Sequence, residues 1–400
     1  MQTHSVYLHN PFCRQRCTYC DFNTYAGLDS LIPDYAKALC QEIDYLGKSS
    51  ATQTSELLPV HTIYFGGGTP SLIPTVSIGT ILEKLANSFD LHHDVEITIE
   101  ANPGTVTIEA LRSLHAMGVN RLSLGAQSAH PEELLLLGRI HNFKDVIQAM
   151  ENARGAKFEV ISLDLIFGLP HQTLQAWQHS LDQVIELEPD HLSLYALTVE
   201  HGTPLQKQIS RGYHPTPDPD LAADMYEWAT ERLEQANYRQ YEISNWAKSD
   251  TNGKDFTCRH NLQYWRSLPY LGLGAGAHGY THDVRTANVI SPQAYIHRCL
   301  HSSTTMHVLR FPRTPATAHA HKIDCAMEMS ETMIMGLRLT HEGVSDVAFL
   351  QRFGQSLHEV YGKHIDRLIQ QGLLEWHEED VLRLTPKGRL LGNQVFIEFV

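Results

Sequence analysis

SVYLHNPFCRQRCTYCDF, residues 5–22, is the stretch on which the reading of this chain turns. Residues 5–8 are a short run with the residue types of a strand, and a polar, proline-containing corner follows it. Cys13, Cys17 and Cys20 then crowd within eight residues in C-x3-C-x2-C spacing, whereas Cys40, Cys258, Cys299 and Cys325 are dispersed. Seven cysteines, unevenly spaced, do not read as a disulfide framework; a tight trio in a reducing compartment reads as metal binding or redox chemistry. Two chemistries compete for it. Structural zinc takes four ligands, usually as two separated pairs, and no second pair is present. A 4Fe–4S cube takes one thiolate per iron, so three cysteines leave one iron open to a small ligand.

Working outward, the strand-then-corner pattern repeats. Further strand-like runs lie at 61–65, 95–100, 121–125, 160–167 and 191–197, with a weaker one at 240–244. Helix-period segments separate them: Ile78, Ile81, Leu82, Leu85 and Phe89 fall on one face, as do Leu221, Met225, Trp228 and Leu233. Strands alternating with helices predict an α/β fold with a parallel sheet and right-handed crossovers. Chemistry-bearing residues follow the carboxyl ends of successive strands: the cysteines, then Gly66, Gly67, Gly68 and Thr69, then Glu100, Gln127, Asp164 and Tyr195. A barrel gathers all these ends on one rim, whereas an open sheet uses mainly its switch point. The expectation is therefore a partial (β/α)6 TIM-like barrel over residues 1–247.

Residues 248–301 read as a connecting region and 302–320 as a linker without period. Residues 321–400 read as a smaller α+β domain: helices at 322–338, 345–353 and 357–370, then a hairpin from 373–376 and 381–385, the order of a winged helix. Its third helix sets Glu359 and Asp366 against Lys363 and Arg367, so it carries no basic stripe and suits a lid or a partner contact better than DNA. The net charge of −14 likewise argues against a nucleic-acid partner. No apolar run reaches a membrane-spanning length and the first dozen residues lack the pattern of a secretory signal, which predicts a cytoplasmic protein.

The cysteine spacing, with Tyr19 before the last cysteine, resembles the radical S-adenosylmethionine (SAM) superfamily, and GGGTP at 66–70 resembles its glycine motif. Tyr7 in YLHNPFC, Glu100 in EANP, Gln127 in SLGAQS, Arg139 in LGRIH, Asp164 in DLIFGLP and Ala196 in LYAL resemble the branch of oxygen-independent coproporphyrinogen III dehydrogenases. The resemblance implies a radical SAM barrel whose 4Fe–4S cluster is held by Cys13, Cys17 and Cys20. It implies a SAM site at Tyr7, Tyr19, Gly66, Gly67, Gly68, Thr69, Glu100, Gln127, Arg139 and Asp164. Chemically, Glu100 and Asp164 suit hydroxyl or ammonium groups, and Arg139 suits a carboxylate.

The branch contains both the dehydrogenase, which decarboxylates two propionates, and heme chaperones, which hand heme to acceptor proteins. Phe22 stands where the enzyme's motif continues with a fourth cysteine, and Cys13 is reached without the enzyme's long N-terminal arm. His260-Asn261-Leu262-Gln263-Tyr264-Trp265 matches the HNxxYW motif of the chaperones. A neutral imidazole is a good axial ligand and aromatic rings pack on a porphyrin, so His260, Tyr264 and Trp265 are the expected heme residues. Cys258 is a weaker second ligand, and His278 in the Gly-rich 272–279 stretch a weak cofactor-site residue. The expected function is delivery of heme to respiratory acceptors; the dehydrogenase is the alternative. A homodimer and peripheral membrane contact are compatible with the resemblance, although no basic amphipathic helix advertises the latter.

Overall fold

The computed structural model describes residues 2–54, 56–249, 253–301, 309–378 and 380–400. Its first compact unit comprises residues 1–232 and 269–321, its second residues 233–268 and 322–400. The first unit is built on β1 (His4–Asn10), β2 (Pro59–Gly67), β3 (Asp90–Ala101), β4 (Arg121–Gln127), β5 (Val160–Phe167) and β6 (His191–Ala196). They pair in parallel and in chain order. Between them run α1 (Ile32–Thr54), α2 (Thr75–Ser88), α3 (Ile108–Ala116), α4 (Phe143–Gly155) and α5 (Leu174–Glu186). β1 does not pair with β6, so the barrel is partial.

Residue parity explains why the barrel has a reactive interior. Val6, Leu8, Ile63, Phe65, Ile97, Ile99, Leu122, Leu124, Ile161, Leu163, Leu192 and Leu194 alternate along the strands and are buried. At about 1.5–3 kcal/mol for each fully buried side chain, this apolar set holds the sheet to its helices. The opposite parity is polar: Ser5, Thr62, Thr98, Glu100, Ser123, Asp164 and Ser193 share the other face, because successive strand side chains point to opposite sides. Side-chain caps start the helices: Thr107 accepts from Ala110 N–H at 3.3 Å, Asn142 and Asp145 form a capping box, and Thr173 accepts from Ala176 N–H at 3.2 Å.

The expected connecting region is divided between the two units. Its first part, through Leu268, belongs to the second unit, whereas residues 270–273 form a strand parallel to β1, with Tyr7 opposite Gly272. Antiparallel strands His278–Thr281 and Val284–Asn288 extend that edge. The Gly-rich composition hides this strand, yet glycine is what permits it: a Cβ on Gly272 would lie 1.8 Å from the His278 carbonyl oxygen. One carboxylate secures the loop. Glu42 of α1, 1% exposed, accepts from Gly274 N–H at 2.9 Å, Tyr295 O–H at 2.6 Å, and Asn288 Nδ2 and Thr314 O–H at 2.8 Å each. The expected linker is shorter than its sequence suggests. Residues 302–308 lie outside the described residues, and Thr317–Lys322 is a strand at the sheet edge.

In the second unit, helices Cys325–Gly336, Asp346–Phe353 and Leu357–Gln370 precede an antiparallel pair, Leu374–His377 and Val381–Leu384, which Val344–Ser345 joins. Met333, Leu337, Phe349, Leu357, Ile365, Leu368, Leu382 and Val395 form its core. This is the winged-helix order read from the sequence. Among the described residues, no helix is long and apolar enough to cross a membrane.

Candidate functional site

The cysteine loop leaves β1 and is pinned on several sides. Thr18 donates its N–H to Leu137 O at 3.0 Å and its hydroxyl to Leu136 O at 2.6 Å, and Gln15 Nε2 donates to Gly138 O at 3.1 Å. Arg16 curls the loop by donating to Thr24 Oγ1 at 3.2 Å, Cys20 O at 3.2 Å and Phe22 O at 3.3 Å. The glycine motif presses on it directly: Gly68 N–H donates to Asn10 O at 2.6 Å and Thr69 N–H to Phe12 O at 2.8 Å. A Cβ on Gly68 would lie 2.6 Å from Phe12 O and 3.0 Å from Cys13 Sγ, so only glycine lets the two segments meet.

Each of the three half-buried thiols has a donor beside its sulfur. Thr69 Oγ1 lies 3.8 Å from Cys13 Sγ, Arg139 Nη1 3.5 Å from Cys17 Sγ, and Thr24 Oγ1 3.8 Å from Cys20 Sγ. These contacts close into a circuit: Asn102 Nδ2 donates to Thr69 Oγ1 at 2.9 Å, and Asn102 Oδ1 accepts from Arg139 Nη2, which also donates to Gly125 O at 2.8 Å. Burial pushes the Cys13 and Cys20 thiols up, and their neighbouring thiols push Cys13 further. Three sulfurs gathered in one loop, one of them beside a guanidinium, suit a positively charged iron–sulfur core, whose chemistry sulfur hydrogen bonds tune. Among the described residues, no three His, Cys, Asp or Glu side chains are grouped to hold a single metal ion. A cubane does not ask for that, since each thiolate holds a different iron.

Beside the cluster loop lies the polar face of the barrel. Tyr7 and Tyr64 stack with ring centroids 6.2 Å apart. His9 Nε2 faces the Asn23 carbonyl at 3.0 Å, which can only accept; Nδ1 is therefore the acceptor for the Tyr7 hydroxyl, 3.0 Å away. Glu100 accepts from Tyr64 O–H at 2.8 Å and from Gly67 N–H at 3.0 Å. Burial pushes its pKa up to about 7, with Asp164 adding repulsion and the two donors opposing. Ser123 Oγ lies 3.2 and 3.3 Å from the two Asp164 oxygens, and burial lifts Asp164 to about 6 against Ser193, Ser123, Arg139 and Arg121. Gln127 is buried with φ +67°, at a break in the β4–β5 register. Tyr19 packs against Leu137, Ile166 and Leu169, and its hydroxyl pKa is raised by burial and then by Cys17. Barrel and cysteine loop thus bring the expected cluster and SAM residues into one neighbourhood. His278 is exposed at the start of its strand.

In the second unit, helix Arg259–Trp265 carries the HNLQYW segment. His260 is 1% exposed; its Nε2 lies 3.0 Å from the Tyr264 hydroxyl, with the rings edge to face at 5.1 Å. Trp265 is half-buried beneath the Arg338 guanidinium, whose carbon lies 4.4 Å from the ring centroid. Cys258 is buried at the helix N-cap.

Family models agree with this layout: the radical SAM superfamily matches residues 7–184 and the HemN C-terminal domain matches residues 326–391. A Bacillus subtilis protein described as heme chaperone HemW is 36% identical over 398 residues, covering 99% of each chain. The chain belongs to the HemW family. A mouse relative, the mitochondrial radical S-adenosyl methionine domain-containing protein 1, is 37% identical over 373 residues, covering 92% of this chain and 81% of that one. The structure of the Escherichia coli coproporphyrinogen III oxidase HemN, a radical SAM enzyme, shares the fold with TM-score 0.82 at 23% identity, covering 100% of this chain and 90% of that one.

Three residues of this HemW-family site escaped the sequence reading. Asn102 joins the glycine motif to Arg139, and its place in the EANP segment beside Glu100 was the available signal. Tyr64 could have been found by parity, since it stands opposite Tyr7 in the β1–β2 register. Thr24, beyond the cysteine motif, carried no signal, because its role depends on the loop curling back through Arg16.

Proposed function

We propose that this HemW-family protein binds heme and delivers it to respiratory acceptor proteins in the cytoplasm, using a 4Fe–4S cluster held by Cys13, Cys17 and Cys20 with SAM on the open iron. The observation that carries this reading is the full-length similarity to proteins described as heme chaperone HemW. It is supported by the circuit Cys13–Thr69–Asn102–Arg139–Cys17, which ties two thiols to the glycine motif. A SAM-ligated cluster supplies one-electron chemistry. The chain's own residues supply placement: backbone groups of the glycine motif for the methionine end of SAM, and Glu100 and Asp164 for cationic or hydroxyl groups.

For heme, the reading assigns His260 as axial ligand. Its ring is buried with Nε2 facing Tyr264, so ligation requires the helix to open and the hydroxyl to yield. Hemin titration of the parent is expected to shift the Soret band, and His260→Ala to raise the hemin Kd roughly tenfold or more. An unchanged titration refutes the ligand, and a parent without a Soret shift refutes the heme reading. Formation of protoporphyrinogen from coproporphyrinogen III and SAM would install the dehydrogenase instead.

The two carboxyls give SAM binding a pH dependence. With Glu100 at about 7 and Asp164 at about 6, the pair is largely ionised at pH 8 and largely protonated at pH 5.5. A cationic ligand favours the ionised pair, so affinity rises with pH across this interval, by roughly tenfold. Equilibrium binding of SAM to the anaerobic holoprotein checks this, and Glu100→Gln is expected to flatten the profile.

A further inference from the structure

Atom types fix the proton directions in the circuit behind the cysteines. Arg139 Nη2 can only donate, so the Asn102 side-chain atom facing it is the oxygen. The Asn102 NH2 is thereby turned toward Thr69 Oγ1, 2.9 Å away, which must accept. A hydroxyl carries one proton, and with Asn102 donating to its oxygen, the Thr69 proton is left for Cys13 Sγ at 3.8 Å. Thr24 obeys the same rule. Arg16 Nε–H donates to its oxygen at 3.2 Å, which leaves its proton for Cys20 Sγ at 3.8 Å. Arg139 Nη1 supplies Cys17 Sγ directly at 3.5 Å.

The residues behind these donors are held firmly. Thr69 and Thr24 are 2% and 4% exposed, so bulk water does not compete for their hydroxyls. The Asn102 backbone is fixed just past β3, where its carbonyl accepts from Thr105 N–H at 3.1 Å and from the Thr105 hydroxyl at 2.6 Å. Arg139 Nη2 spends its second proton on Gly125 O at 2.8 Å, so Asn102 braces a guanidinium that is anchored on its other side. Donors aimed at thiolate sulfur stabilise the state with more negative charge. One added electron increases that charge on a cluster bound by three thiolates, so the donors favour the reduced state and raise its potential.

We propose that Asn102 is a positioning residue. Without touching a sulfur, it aims the Thr69 hydroxyl at Cys13 and braces the Arg139 donor to Cys17, and together with Thr24 these donors set the reduction potential of the cluster. The inference rests on the cluster assigned above to Cys13, Cys17 and Cys20.

The potential is read by anaerobic dithionite titration of the reconstituted, SAM-free protein, following the electron paramagnetic resonance signal of the reduced cluster. Asn102→Leu, close in size and without polar atoms, is expected to keep parental iron and sulfide. It is expected to shift the one-electron equilibrium roughly tenfold toward the oxidised state, which lowers the potential by about 59 mV. Asn102→Ala guards against a packing fault of leucine, and the same fall is expected. Thr24→Val is expected to lower the potential similarly, whereas Thr24→Ser, which keeps the hydroxyl, stays at the parental value. Because Asn102 acts through Thr69, adding Thr69→Val to Asn102→Leu lowers the potential no further, while adding Thr24→Val gives the sum of the two effects. Parental potentials in cluster-loaded Asn102→Leu and Asn102→Ala overturn the positioning role and leave the ligand set standing. A full further drop on adding Thr69→Val overturns the route through that hydroxyl. A parent that takes up no iron and sulfide overturns both this inference and the cluster reading.

Discussion

Alanine at Cys17 is expected to abolish the iron–sulfur cluster: after anaerobic reconstitution, iron and acid-labile sulfide fall to background and the SAM-sensitive electron paramagnetic resonance signal disappears. The reason is arithmetic as much as chemistry. A cube bound by three thiolates has no spare protein ligand, and each lost thiolate exposes a second iron. Cys40, Cys258, Cys299 and Cys325 stand far from the motif in sequence. Arg139 sharpens the expectation at Cys17, because its Nη1 sits 3.5 Å from that sulfur while Nη2 holds Asn102 and Gly125. Removing the sulfur leaves a guanidinium facing the vacated position, which does not replace an anionic ligand. Arg139→Met makes the informative contrast, with cluster assembled and SAM affinity reduced. Iron retained at parental level in the Cys17 variant refutes the proposed ligand set.

The second large effect is structural and lies at Glu42. Its carboxylate accepts four hydrogen bonds from Gly274, Asn288, Tyr295 and Thr314, in a site from which water is excluded. Glu42→Ala strands four donors at once. Each unpaired buried group costs about 1–3 kcal/mol, and water entering the emptied space offsets part of the sum, so a loss of about 4 kcal/mol is expected. Against a total domain stability of about 5–15 kcal/mol, that is a large fraction. Glu42→Gln keeps the shape but turns an NH2 toward two donors, and a loss of about half that size is expected. Chemical denaturation followed by circular dichroism measures both. Amide exchange at Gly274 and Ala275 locates the effect, since Ala275 N–H donates to the Tyr35 hydroxyl, which itself donates to His9 O in β1. Stability unchanged within about 1 kcal/mol in Glu42→Ala would show that those donors find other acceptors.

Much of the architecture could be read from residue order because the signals are local. The six strands of the barrel carry period-two alternation bounded by polar or glycine corners, and their observed limits bracket or match the expected ones closely, as at residues 160–167. The C-terminal helices and hairpin were legible for the same reason: amphipathic periods and a charged turn between two apolar runs. The strand at 270–273 was not legible, because its glycines suppress the β signal and its partner, β1, lies more than 260 residues earlier. The division of residues 248–301 between two units follows from that pairing, since a segment belongs to whatever it packs on rather than to what precedes it.

The functional residues divide in the same way. Identity and spacing single out Cys13, Cys17 and Cys20, since ligand type and loop length are written in adjacent positions, whereas the glycine motif and the HNLQYW segment stand out through the family resemblance. Only the folded chain brings Asn102 between Thr69 and Arg139, sets Thr24 beside Cys20, and buries His260 against Tyr264. It also decides the electrostatics, because Glu100 and Asp164 are ordinary acids until burial raises both toward neutrality, with Asp164 adding repulsion at Glu100. Local order determines which groups a chain carries and roughly where strands and helices begin. Hydrogen-bond geometry and desolvation depend on neighbours distant in sequence, and so only the tertiary structure decides them.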